Sequence, residues 1–166
     1  MAANSEVTSW LDEREAAYEV LEHENVFSAV DEAQALDVEA GRIAKSLVVH
    51  ITHPGPQTTG TQAVVIIPGG ERTSNQKLHE LFGTDHARLA LEDELSQDFP
   101  QFELGAVPPL AGLIELPVYI DRRLVDHDTV LFNAGTHTAS IKMMMHDFIN
   151  LADAAVVDIV DEREAA

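Results

Sequence analysis

Apolar residues recur along the chain in two spacings, one typical of helices and one typical of strands. Near the start, Val7, Trp10 and Leu11 are spaced as on one face of a helix, which predicts a first helix over about 7–17. The following stretch "YEVLEHE", 18–24, is short and fits a strand. The chain therefore opens with one helix and one short extended segment.

Two polar stretches have the pattern that begins a helix. Residues 28–31 resemble a capping box, with Asp in place of the usual Glu or Gln, and predict a helix through about Leu36. Residues 73–76 match the capping box more closely, and Gly83 can end that helix with a positive φ. A further short helix is expected over 92–97.

Five segments rich in β-branched and aromatic residues predict strands. They are 43–51, 61–68, 117–121, 129–134 and 139–145. The first two are joined by a loop rich in Pro and Gly, and the last two form a hairpin that turns near Gly135. A helix over 146–154 follows. Hairpins mixed irregularly with short helices indicate an α+β or mixed α/β fold, and because no linker is visible we expect a single domain over 1–166.

The charge of the chain limits its partners. Ten basic and 29 acidic residues give a net charge of −19, with lysine only at Lys45, Lys77 and Lys142. Such acidity argues against nonspecific nucleic-acid binding and DNA binding, because these depend on cations that neutralise phosphates. Solubility or adaptation to salt is the simpler interpretation of the charge.

Composition also sets an expectation for location. The chain contains no cysteine, so it has no disulfide, thiol nucleophile or thiolate metal site. Its longest apolar runs are far shorter than the roughly 18–20 residues that span a bilayer. The first ten residues lack the basic and apolar segments of a signal peptide. We therefore expect a cytoplasmic protein without membrane contact.

Lys45 stands out because of its neighbours. In a strand, Ile43, Lys45, Leu47 and Val49 point to one face, so one of the three lysines lies among aliphatic side chains. A lysine held there offers a compact charge for a carbonyl, phosphate or ribose oxygen. The alternative is a lysine at a strand end whose ammonium group reaches water.

The loop "ELGAVPPLAG", 103–112, is stiff and carries almost no reactive side chain. Pro108 and Pro109 fix their own φ and donate no backbone hydrogen bond, whereas the N–H groups of Gly105, Ala106 and Val107 remain as donors. Such a strip could bind an oxyanion through its N–H groups and an ammonium through its carbonyls. The alternative is a rigid edge loop without a binding role.

The eight histidines do not predict a metal site. His50 and His53 are an odd number of residues apart and would point to opposite faces of a strand, and no HExxH pattern occurs. His137 lies at the expected hairpin bend beside Gly135, where it could orient a ligand or water, or be a solvated turn residue. The chain also lacks the GxSxG, GxxxxGK and GxGxxG motifs.

Taken together, six segments resemble the YbaK/EbsC family of aminoacyl-tRNA deacylases, which are related to the editing insertion of bacterial prolyl-tRNA synthetase. The resemblance extends over about 7–154. In order along the chain, the segments are "AKSLVV", "AVVIIPGGERTSNQKLHELFG", "ARLALEDEL", "GAVPPL", "LPVYID" and "FNAGTHTASIKM".

The resemblance implies a fold and a site. The fold is a largely antiparallel sheet curled around a pocket and flanked by helices. The pocket lysine of the family falls on Lys45, its GxxxP loop on 105–109, and its glycine–histidine segment on 135–137. Lys45, Gly105 and His137 are thereby implied in catalysis. The residues implied in substrate binding are Ala106, Val107, Pro108, Pro109, Gly135 and Thr136.

The implied activity is hydrolysis of the ester of mischarged tRNA, without cofactor or metal, assisted by the neighbouring ribose hydroxyl rather than by a protein nucleophile. The segments 105–109 and 132–138 look more like the branch that acts on seryl-, threonyl- or alanyl-tRNA than like the cysteine-specific branch. Two positions depart from the family, since many members have Ser where this chain has Pro108 and Leu91. A non-catalytic binding or regulatory module and a hydrolase of small aminoacyl esters remain as alternatives.

Overall fold

The computed structural model describes residues 3–53, 59–103 and 106–162. Within them, seven α-helices and eight strands are formed. The helices are α1 (Ser5–Glu13), α2 (Ala29–Leu36), α3 (Asn75–Phe82), α4 (Glu92–Asp98), α5 (Ala111–Ile114), α6 (Arg122–Val125) and α7 (Met145–Ala152). The strands are β1 (Glu19–Glu22), β2 (Ala44–His53), β3 (Thr59–Pro68), β4 (Ala87–Leu89), β5 (Val118–Asp121), β6 (Thr129–Asn133), β7 (Ala139–Met144) and β8 (Ala154–Val157).

The strands form two sheets. One has the order β1-β7-β6 and is antiparallel throughout, and the other has the order β4-β2-β3-β5-β8. In the larger sheet β2 pairs antiparallel with β3 and β4, whereas β3–β5 and β5–β8 are parallel. The mixed, largely antiparallel fold class is thereby confirmed. A parallel bridge between Ile43 and Leu131 links the two sheets.

The long β2–β3 hairpin is the centre of the molecule. Its register extends over ten residue pairs, from Ala44 with Pro68 to His53 with Thr59. Residues 63–67 of β3 are completely buried because both faces of the sheet are covered. Val64 and Ile66 contribute to the core between the sheets, whereas the alternate residues pack against α3 on the opposite face. The unbroken apolar run in the sequence is typical of a strand buried on both sides.

The structure corrects the predicted start of α3 by one residue. The N-cap is Ser74, whose Oγ accepts a hydrogen bond from the backbone N–H of Lys77 at 3.2 Å. Thr73 is instead engaged in an antiparallel bridge with Val160, which removes it from the helix. Gly83 ends the helix at φ +69°, which confirms its predicted role.

The other predicted elements are present with shifted ends, and four short α-helices and strands were missed. The first helix ends at Glu13 instead of near residue 17, because Glu15 turns the chain with φ +54°. The closing helix stops at Ala152, since Asp153 adopts φ +51° and leads into β8. The missed elements, each three or four residues long, are β4, β8, α5 and α6. No helix in the described ranges is long and apolar enough to cross a membrane.

Candidate functional site

The gap between the two sheets contains a cavity of about 280 Å³. Five parts of the chain line it: 23–32 with the start of α2, 44–48 of β2, 89–95 before and within α4, 106–107, and 133–139 of the β6–β7 hairpin. The cavity therefore lies where the proline-containing loop, the hairpin turn and the lysine-bearing strand meet.

The cavity opens along an unpaired part of β2. Among the described residues, the edge of β2 opposite β3 pairs with β4 over 49–51, and Ile43, which precedes β2, forms a bridge with Leu131 of β6. Even-numbered residues direct their backbone groups to this edge, since the carbonyl of Val48 accepts from Ala90 N at 2.9 Å and Thr52 N donates to His86 O at 3.2 Å. The same alternation directs the backbone N–H and carbonyl of Ser46 toward the gap.

Lys45 lines the cavity and is half-buried in β2. Its Nζ donates to the backbone carbonyl of Glu71 at 3.4 Å, and its register partner on β3 is the buried Ile67. Burial, and secondly the nearby charge of Arg72, lower the pKa of Lys45 below its ordinary value. Its amine therefore lies in a partly dry site, where the charged form interacts more strongly with developing negative charge than it would in bulk water.

The proline-containing loop offers fewer available backbone N–H donors than its sequence suggests. Gly105 lies outside the described residues. The N–H of Ala106 donates to Glu103 O at 2.9 Å, so the expectation that it is an available donor is wrong. The N–H of Val107 has no hydrogen-bond partner among the described residues. Ala106 and Val107 line the cavity, and we therefore regard Val107 as the donor that this segment offers.

Pro108 and Pro109 have a structural role in the loop. Both are buried, and neither lies on the cavity wall. The carbonyl of Pro108 accepts from Leu110 N at 2.9 Å, and the carbonyl of Val107 accepts from the Asn133 side chain at 3.4 Å. The prolines therefore stiffen the wall.

The hairpin turn is tied to the same loop through Glu103. The backbone N–H of Glu103 donates to Gly135 O at 3.1 Å, and its carboxylate accepts from the backbone N–H of His137 at 2.9 Å. Gly135 has φ +84° and packs closely against Asn4 and Phe102. These contacts fix the turn relative to the loop.

His137 and Thr136 place the turn on the cavity wall. The His137 side chain is 16% exposed, and its Nε2 lies 3.9 Å from the Glu103 carboxylate. Its ring packs against that of Phe27 in a tilted arrangement, with the ring centroids 4.8 Å apart. Thr136 is buried, with its hydroxyl 3.5 Å from that of Thr138. Phe27 is 76% exposed and lies at the cavity mouth.

Two cavity residues were not found from the sequence. The hydroxyl oxygen of Ser46 is buried and has no partner in the described parts of the chain. Glu32 is 8% exposed, although helical amphipathicity would place the apolar Val30 inward, and Val30 is 42% exposed. Nothing in the hydrophobic pattern marks either residue.

Five basic residues between positions 42 and 88 do not form a rim around the cavity. Of Arg42, Lys45, Arg72, Lys77 and Arg88, only Lys45 lines it. Lys77 binds Asp158 at 2.8 Å, and Arg88 binds Glu94 through two hydrogen bonds. Arg72 influences the site through its charge, which lowers the pKa of Lys45. Among residues 3–53, 59–103 and 106–162, no three His, Asp or Glu side chains are grouped so that they could hold a metal ion.

Comparison with known proteins gives consistent matches. The sequence model of the aminoacyl-tRNA editing domain matches residues 23–151. The prolyl-tRNA editing protein ProX of Acetoanaerobium sticklandii is 25% identical over 160 residues, which is 93% of either chain. EbsC of Enterococcus faecalis, named as a candidate Cys-tRNA(Pro)/Cys-tRNA(Cys) deacylase, is 23% identical over 142 residues, covering 86% of this chain and 82% of EbsC.

A solved structure extends this similarity to the fold. The crystal structure of a candidate trans-editing enzyme for prolyl-tRNA synthetase superimposes with a TM-score of 0.78 at 27% identity. The match covers 94% of this chain and 95% of that chain.

Proposed function

The chain belongs to the aminoacyl-tRNA editing domain family, and from this premise we propose that it is a trans-editing deacylase that hydrolyses the ester of mischarged tRNA. The observation that carries the proposal is the cavity, where Lys45, the backbone of Val107 and the turn with His137 meet. A preformed backbone donor and a cation can stabilise the oxyanion that develops during ester hydrolysis.

In the proposed reaction, water adds to the ester carbonyl and the carbonyl oxygen gains negative charge. The bond to the ribose oxygen then breaks and that oxygen takes up the proton released by the attacking water, which yields the free amino acid and the tRNA with its hydroxyl restored. Lys45 and the Val107 N–H stabilise the developing oxyanion, and their preformed positions mean that little reorganisation is required at that moment. For Gly105, which lies outside the described residues, the resemblance to the family implies a catalytic role. The ribose hydroxyl of the terminal adenosine assists the attack, and His137 positions substrate or water.

We propose alanyl-, seryl- or threonyl-tRNA as substrate in preference to cysteinyl-tRNA. This rests on the resemblance of the loop at 105–109 and the turn at 132–138 to the corresponding branch of the family. Ala106, Val107 and Thr136 line the cavity and limit the size of the acyl side chain, while Gly135 fixes the turn and Pro108 and Pro109 stiffen the loop. Because one methylene changes the free energy of binding by only about 1–3 kcal/mol, we expect neighbouring amino acids to be hydrolysed at reduced rates.

A comparison of Lys45→Ala with Lys142→Ala tests the proposed site. Both variants lose one lysine of a strand, but Lys142 is exposed on β7 and lies outside the cavity. Deacylation of alanyl-, seryl- or threonyl-tRNA is measured for each variant beside the wild type, with thermal unfolding as the check on folding. We expect Lys45→Ala to lose about 100-fold or more in rate and Lys142→Ala to retain the wild-type rate.

Full activity of a folded Lys45→Ala protein would contradict the proposed site. Absence of hydrolysis by the folded wild type would contradict the enzyme itself and would favour a non-catalytic binding module.

A further inference from the structure

Glu32 is a buried carboxyl group on the wall of the cavity that the proposed mechanism does not use. It lies on α2, is 8% exposed, and its Oε2 accepts a hydrogen bond from the hydroxyl of Ser140 on β7. Within the described ranges no Lys or Arg forms an ion pair with it, and its Oε1 has no hydrogen-bond partner. A carboxylate removed from water in this way is costly unless it meets a cation.

The neighbours of Glu32 orient it and do not form a catalytic triad. His23 Nε2 lies 2.9 Å from Ser140 Oγ, so an imidazole, a hydroxyl and a carboxyl are arranged in a row. Ser140, however, is completely buried, and its hydroxyl proton is donated to Glu32. The hydroxyl therefore cannot reach an ester, and its role is to hold one carboxyl oxygen in place so that the other is available.

The charges around the cavity are complementary to an aminoacyl ester. The acyl end of such an ester has one permanent positive charge, the α-ammonium group, beside a carbonyl oxygen that becomes negative during hydrolysis. Lys45 is the cation on the wall, and Glu32 is the one acidic side chain among the described residues that line it. A carboxylate matches an ammonium group through charge-assisted hydrogen bonds.

The ionisation state of Glu32 is set by opposing effects. Burial is the largest effect and raises the pKa of Glu32 above its ordinary value, while the hydrogen bond from Ser140 and the nearby His23 and His137 offset part of this rise. An ammonium group bound beside Glu32 also lowers its pKa and so favours the carboxylate.

We propose that Glu32 binds the α-ammonium group of the aminoacyl ester and thereby restricts the cavity to esters with a free α-amino group. The inference rests on the proposed deacylase function and adds to it a recognition element common to all amino acids. It leaves the choice among amino-acid side chains to the other residues that line the cavity.

The test compares alanyl-tRNA with the same tRNA after acetylation of the α-amino group of its alanine. If seryl- or threonyl-tRNA is hydrolysed faster than alanyl-tRNA, that ester and its acetylated form are used instead. We expect the wild type to hydrolyse the free-amine ester about 10- to 100-fold faster than the acetylated ester. Glu32→Gln keeps the size and the acceptor for Ser140 but removes the charge. The Glu32→Gln variant should hydrolyse the free-amine ester more slowly than the wild type but the acetylated ester at the wild-type rate, so that most of the preference is lost.

The matched control is Asp31→Asn, which changes an exposed acid in the first turn of the same helix and should keep the full preference. Equal rates of the wild type on both esters would overturn the role of Glu32 while leaving the deacylase function intact, and this holds even if Glu32→Gln does not fold. An unchanged preference in folded Glu32→Gln would also overturn it. Hydrolysis of neither ester by the wild type would overturn both proposals.

Discussion

At the scale of single residues, the site depends on backbone conformations that only certain side chains allow. Gly135 adopts φ +84°, and a Cβ there would lie 2.7 Å from the Asn4 Cβ and 3.0 Å from the Phe102 ring. Asn4 caps α1 by accepting from Glu6 N and donates through its own backbone N–H to Ala134. Gly135 thus allows the hairpin turn to pack directly against the start of the chain.

Gly135→Ala is therefore expected to destabilise the protein more than Gly83→Ala. Both glycines have positive φ, but a Cβ at Gly83 meets nothing within 4 Å. Gly83→Ala should cost about 1–2 kcal/mol for the backbone conformation. Gly135→Ala should cost a further 1–3 kcal/mol or so for the clash. Urea unfolding of the two variants measures the difference, and equal losses would show that the turn yields without strain.

A site residue can be identified from the sequence only where its neighbours in the chain make it unusual. Lys45 interrupts an aliphatic strand face, and Gly135 beside His137 marks a bend, so both are conspicuous. Glu32 is one of two adjacent acids at the start of a helix, and acids are common there because they interact favourably with the helix dipole. Its burial depends on Ser140, more than a hundred positions away, which no local pattern encodes.

At the scale of elements, α4 is a helix with an incomplete cap. Its N-cap is Leu91, whose N–H donates to the Glu94 carboxylate at 2.8 Å, but leucine offers no side-chain acceptor in return. Glu94 also binds Arg88 of β4, so the start of α4 is attached to the sheet edge beside the cavity. One half of a capping box is thus present.

Leu91→Ser should complete this capping box and stabilise the protein. The Leu91 side chain is 58% exposed, so its removal costs little packing, whereas a serine hydroxyl can accept from the N–H at Glu94. We expect Leu91→Ser to exceed Leu91→Ala by about 1 kcal/mol in the free energy of unfolding. Equal stability of the two variants would mean that the start of α4 is not held by its cap.

Elements were predictable where the pattern is long and local, and not where pairing partners decide. The ten-residue strands β2 and β3 follow from their apolar runs. β8, with the sequence AAVV, is a strand because β5 lies beside it in parallel register. The shift of the α3 N-cap to Ser74 likewise depends on the distant Val160.

At the scale of the whole molecule, the negative charge determines how a tRNA can be held. Several of the ten cations are already bound to acids: Lys77, Arg122 and Arg123 meet Asp158 and Glu162 near the end of the described chain. Among the described residues, few cations therefore remain outside such ion pairs to bind phosphates. We infer that the aminoacyl end, held in the cavity, supplies most of the recognition.

This inference makes salt dependence informative. A protein with 6–10 phosphate contacts loses about 10³–10⁵ in affinity between about 50 and 200 mM salt. With the aminoacyl end as the main contact, deacylation at subsaturating protein should fall by less than about tenfold over that range.

The most direct measurement is release of the amino acid from alanyl-, seryl-, threonyl- and cysteinyl-tRNA by the wild-type protein, in low and in molar salt. We predict hydrolysis of one or two of the first three, faster than that of cysteinyl-tRNA and retained as salt is raised. No release from any of the four by a folded protein at any salt concentration would contradict the deacylase function.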